Sequence, residues 1–160
     1  MHGGWCVALD TSDMNEAEKV ETPRRIAGVI VTHGQLATEL LAAAEMIIGP
    51  VAQVAAISIG WNDDVDEARA EIERAIARVS EGHGVLILTD MFGGTPTNIA
   101  SMFFVEGEVE VVTGVNLPMV IKLASQTDAE PLAVVAGRVR DQGQQAIHLA
   151  GELLAAPKKK

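Results

Sequence analysis

The sequence predicts an α/β fold: a doubly wound, mostly parallel central sheet in the order 2-1-3-4, with helices on both faces. Three observations carry the α/β class and the parallel sheet, while the order 2-1-3-4 is supposed as the flavodoxin-like arrangement. Short Val- and Ile-rich runs alternate with longer amphipathic stretches. One run, Val85–Thr89 (VLILT), is apolar almost throughout, as a strand buried on both faces must be. The breaks between segments hold Gly, Pro and helix-capping residues. Strand–helix alternation of this kind means crossover connections and parallel pairing.

The first 23 residues carry Gly3-Gly4 and then a polar, acidic run up to Glu21, with no lasting periodicity. They are expected to form a poorly ordered extension ending at Pro23. Ile26, Val29, Ile30 and Val31 then mark a first strand, which breaks at Thr32-His33-Gly34. From Gly34, apolar residues at Leu36, Leu40, Leu41, Ala44, Ile47 and Ile48 line one helix face, and Gly49-Pro50 ends it. Val51–Ile59 reads as a second strand. Asn62, Asp63 and Asp64 offer capping oxygens to a helix over 64–81, whose apolar face is Val65, Ala68, Ile72, Ile76 and Val79.

The third strand, Val85–Thr89, delivers Asp90. A turn through Gly93-Gly94 follows, with Thr95 fitting an N-cap and Pro96 the first position of a helix reaching about Val105. Val109–Thr113 is a fourth strand, and Asn116-Leu117-Pro118 opens a short helix. From Pro131 the spacing suggests a long final helix, or one interrupted near Gly143. The expected organisation is one folded domain over 24–154 with a basic tail over 155–160.

Composition narrows the function. Aromatics are 3% and Tyr is absent, so the core must be aliphatic. A formal net charge of −10 argues against sequence-independent binding to nucleic acid or anionic membrane, which needs basic patches. A single cysteine excludes an internal disulfide framework. No apolar run approaches the roughly 18 residues of a membrane span, and the start lacks a secretory signal, so a cytoplasmic location without membrane insertion is expected. His2, His33, His83 and His148 have no metal-ligand spacing, so no metal is expected. No phosphate-binding fingerprint of a nucleotide site follows any strand.

With strand order 2-1-3-4, the loops after strands one and three face each other across the switch-point crevice. These loops carry His33 and Asp90. A neutral imidazole is a competent nucleophile, and a carboxylate on its other ring N–H fixes the tautomer. Gly34, Gly93, Gly94 and Thr95 would bind phosphoryl oxygens through backbone N–H groups and a hydroxyl. Each residue also has a plainer reading. A lone histidine at a strand end is more often a cap or packing residue, Asp90 could cap a helix, and Met91 and Phe92 are more often core. Their joint placement at one crevice distinguishes the functional reading.

Residues 26–48 (IAGVIVTHGQLATELLAAAEMII), 88–100 (LTDMFGGTPTNIA) and 113–119 (TGVNLPM) resemble the mannose-type IIA proteins of the bacterial sugar phosphotransferase system. The resemblance implies a protein-histidine phosphotransferase. His33 would accept a phosphoryl group from phospho-HPr and pass it to a IIB protein, expected to be a separate chain. Asp90 would hydrogen-bond the histidine, and Thr95 would share the pocket. Met91 and Phe92 would form an apolar docking rim, and no cofactor is implied. The family is usually a homodimer that exchanges an antiparallel edge strand, which would make about Glu130–Ala136 strand instead of helix. The phosphotransfer subunit of dihydroxyacetone kinase is an alternative, but its motif has serine where Gly34 stands. A non-catalytic regulatory module of the same fold is another. A receiver domain phosphorylated on Asp90 would need acidic residues where Thr32-His33-Gly34 stands.

Overall fold

The computed structural model describes residues 25–126 and 130–155. The expected N-terminal extension lies outside them, as does the basic tail beyond Ala155. Among the described residues are four strands, β1 (Ala27–His33), β2 (Val54–Ile59), β3 (Val85–Thr89) and β4 (Val109–Thr113). Six helices accompany them: α1 (Leu36–Ile48), α2 (Val65–Val79), α3 (Thr95–Ser101), α4 (Leu117–Ala124), α5 (Leu132–Gln145) and α6 (Ala150–Ala155). The sheet is parallel throughout in the order β2-β1-β3-β4, as the sequence predicts.

Alternation along the central strands builds two aliphatic cores. Ile30, Leu86 and Leu88 face α1, α4 and α5. Val29, Val31, Val85 and Ile87 face α2 and α3. Each fully buried Leu, Ile or Val contributes about 1.5–3 kcal/mol relative to exposure, so two such layers suffice without aromatics. Asp64 caps α2 by accepting from the N–H groups of Asp66 and Glu67. Asn116 caps α4 by accepting from Met119.

Several boundaries differ from expectation. β1 does not break at Thr32. Its pairing with β2 continues to His33 opposite Ile59, so His33 is the last strand residue. β2 begins at Val54; Val51 is buried but lies before the turn that leads into the strand, serving the core without joining the ladder. Gly94, not Thr95, is the N-cap of α3, and Thr95 is already helical. That helix stops at Ser101 instead of Val105. Met102, Phe103 and Phe104 turn with bonds back three residues, and Val105 bridges Val109 across the Gly107 turn.

The resemblance-based expectation of a strand at Glu130–Ala136 is corrected. Leu132, Val135, Ala136 and Val139 are buried at helical spacing, and α5 packs them on α4 and β4. The final helix is interrupted at 146–149, just after Gly143, and no antiparallel strand joins the sheet among the described residues. Gly143 has its own constraint: a Cβ there would lie 2.5 Å from Met119 Sδ.

Candidate active site

The fold brings the ends of β1 and β3 together, because Val31 stands opposite Thr89 in adjacent strands. His33 and Asp90 follow at the carboxyl edge, where the crossovers diverge to opposite faces. The Asp90 Oδ2 atom accepts two hydrogen bonds from His33, one from the main-chain N–H at 3.1 Å and one from ring Nδ1 at 2.8 Å. Its Oδ1 atom accepts from the Met91 N–H at 3.0 Å. An ionised carboxylate can only accept, so Nδ1 carries the ring proton. In the neutral ring, Nε2 then holds an unshared lone pair.

Burial pushes the Asp90 carboxyl up. The His33 side-chain and main-chain hydrogen bonds, the charged ring and the Met91 N–H outweigh it and hold the group below its ordinary range. The His33 side chain is 42% exposed against 15% for Asp90, so an incoming molecule meets the ring first.

Gly94 makes room for that ring. A Cβ at this position would lie 2.7 Å from His33 Cε1 and 3.2 Å from Nε2. Gly93 has φ +82°, the left-handed geometry that glycine adopts freely, and turns the chain into α3. The N–H groups of Gly93, Gly94 and Thr95 donate to no protein acceptor among the described residues. They lie at the start of α3, with Gly94 against the ring and Thr95 lining the same cleft, where backbone donors favour anions.

Gly34 differs from expectation. It lines the cleft, but its N–H is committed to the Ile59 carbonyl at 2.9 Å and so does not serve as a phosphate donor. Thr32 sits beneath, fully buried, its hydroxyl accepting from the Ala37 N–H at 2.7 Å and fixing the start of α1.

An open cleft of about 470 Å³ lies over His33, lined also by Thr95, Ile59, Trp61, Asp63 and Val65. These four run from the end of β2 through the loop after it to the first residue of α2, and sequence reasoning assigned that loop only to helix capping. The strand order was the signal for them, since β2 borders β1 and its exit loop must border the exit of β1. Trp61 is fully exposed there. Met91 is exposed beside Gly94. Phe92 is exposed too, but it lines a different groove along β4 and α5. His83 and His148 are exposed and outside this cleft.

Phosphoryl transfer suits this arrangement: an oriented nucleophilic nitrogen, a charge-balancing carboxylate and backbone donors beside an open face. Residues 27–138 match the EIIA-man family, described as the PTS system fructose IIA component. The mannose-specific EIIAB component of Escherichia coli K12 is 39% identical over 145 residues, covering 82% of this chain and 42% of that protein. This chain therefore spans less than half the length of that relative. The fructose-specific EIIA component of Bacillus subtilis is 28% identical, covering 81% of this chain and 89% of that one. Among solved structures, the mannose/sorbose specific IIA subunit from Enterococcus faecalis superposes with TM-score 0.71 at 28% identity, covering 78% and 94% of the two chains. EIIA from Streptococcus agalactiae gives TM-score 0.71 at 25% identity, covering 79% and 98%.

Proposed function

From the membership of this chain in the mannose-type IIA family of the sugar phosphotransferase system, we propose that it is a phosphohistidine carrier that works through His33. The donor is phospho-HPr and the acceptor a IIB protein. Nε2 of His33 attacks the phosphorus of the donor phosphohistidine in line. A new N–P bond forms as the donor's N–P bond breaks, its electron pair returning to the donor imidazole. Nδ1 keeps its proton, so the phosphorylated ring is cationic and Asp90 balances it. The N–H groups of Gly93, Gly94 and Thr95, with the Thr95 hydroxyl, hold the phosphoryl oxygens. Attack by the IIB residue reverses the exchange and restores the neutral ring.

One observation carries the reading: a single carboxylate oxygen takes both the main-chain and ring N–H of His33, leaving Nε2 as the reactive nitrogen. The bond formed is a phosphoramidate. Label transferred from phospho-HPr will be lost in acid and retained in base. Loss of label in base, as from an acyl phosphate on Asp90, would refute the assignment.

Asp90→Asn keeps the shape but removes the charge. Hydrogen bonds to charged groups contribute about 1.5–3 kcal/mol, so transfer should slow about 10- to 100-fold while His33 still accepts. The carboxyl is held below its ordinary range, so its stabilising contacts are present above that range and are lost as pH falls through the lowered value. Urea midpoints of the wild type should therefore decline below about pH 4 by more than those of Asp90→Asn.

For docking, Trp61 and Met91 form the apolar rim nearest His33. Phe92 joins it under a partner broad enough to cover the β4 groove as well. The assembly proposed is the homodimer that the family resemblance implies, and β4, the outer strand of the sheet among the described residues, suits it.

A further inference from the structure

We propose that Thr97 is a positioning residue for transfer at His33, acting through the Asp90–Gly94 turn; this rests on the function proposed above. Thr97 does not touch the ring. It is buried in the first turns of α3, 3% exposed, and so is Thr89 on β3 at 0%. Their hydroxyl oxygens are 2.8 Å apart. The Thr97 hydroxyl also donates to the Met91 carbonyl.

Proton counting sets the direction of this chain. A threonine hydroxyl has one proton. Thr97 spends its proton on Met91, so the Thr89 hydroxyl must donate to Thr97. Met91 thus carries a bond at each end, its N–H on the Asp90 carboxylate and its carbonyl on Thr97. The carboxylate that orients His33 is tied through Met91 and Thr97 to the rigid third strand. Gly93 and Gly94 follow in the same turn, with Gly94 against the ring. Without the Thr97 hydroxyl, a turn containing two glycines is held at its ends alone.

A purely structural role for Thr97 makes a different forecast, and three variants separate the two. Thr97→Val removes the hydroxyl at constant shape but strands the buried Thr89 hydroxyl, so it should lower the unfolding midpoint. Thr89→Val/Thr97→Val strands no donor on this pair, because replacing both partners of a buried bond by apolar groups is close to neutral. Thr97→Ser keeps the hydroxyl. We expect phosphorylation of His33 by phospho-HPr to slow about 10-fold in Thr97→Val, since misplacements of an ångström cost up to about 100-fold. The double variant should regain stability yet stay as slow, and Thr97→Ser should stay within about twofold of wild type, well inside that misplacement cost.

A readout independent of the reaction is the His33 Nδ1–H proton by NMR, which should exchange with water faster in both valine variants. A double variant with the wild-type rate and wild-type Nδ1–H exchange would overturn the positioning role while leaving the carrier function standing. A wild-type chain that takes no phosphoryl group at His33 overturns both.

Discussion

Gly94→Ala will reduce phosphorylation of His33 by about 100-fold or more, the scale expected when a reacting group is displaced by about an ångström. The added methyl would sit 2.7 Å from Cε1 and 3.2 Å from Nε2, inside ordinary contact distance. The ring cannot simply swing aside, because Nδ1 is held by Asp90 at 2.8 Å. Relief means breaking that bond or moving the turn, and either change misaligns Nε2. The methyl also crowds the side of Nε2 beside the backbone donors. The backbone at Gly94 is ordinary, with φ −86° and ψ 167°, so alanine introduces no dihedral strain.

Gly93→Ala is the matched control. A Cβ there meets nothing within 4 Å, but φ is +82°. It should cost about 1–2 kcal/mol of stability and far less activity. Rates and urea midpoints for the two neighbours should therefore rank in opposite orders. Equal loss of activity in both would argue that the turn matters only as a fold element.

His33→Ala will take up no phosphoryl group, the largest effect expected, because no other described residue lining the cleft supplies a nucleophilic nitrogen. The fold should survive. The ring is partly exposed, and the strand ladder at His33 is made by its main chain opposite Ile59. The Asp90 carboxylate loses its ring partner but keeps the N–H groups of residue 33 and Met91. Circular dichroism and the unfolding midpoint should stay close to wild type while incorporation of label falls to background. Full incorporation in this variant would move the acceptor to another residue.

The strands were readable where burial on both faces leaves only aliphatic residues, as in Val85–Thr89. They were less readable where apolar residues serve the core from outside the ladder, as Val51 does. The pairing of His33 with Asp90 followed from strand order, because the loops after β1 and β3 must share one crevice. Trp61 and Asp63 were missed although the same strand order implies them. Their loop carries Asp64, a strong capping signal, which accounted for the segment without reference to the site. Thr97 was hidden for another reason. A threonine inside a helix start carries no pattern, and only the packing of α3 on β3 brings it to Thr89 and the Met91 carbonyl. The strand implied near Glu130 failed because burial at 132, 135, 136 and 139 is a helical spacing that no strand can satisfy.

The most direct test is to phosphorylate the chain with phospho-HPr and assign the bond by phosphorus–nitrogen NMR on ¹⁵N-histidine protein. The predicted result is a single phosphoryl group on Nε2 of His33, with Nδ1 still protonated and facing Asp90. Phosphorus on Nδ1, on Asp90 or on any other residue would contradict the account.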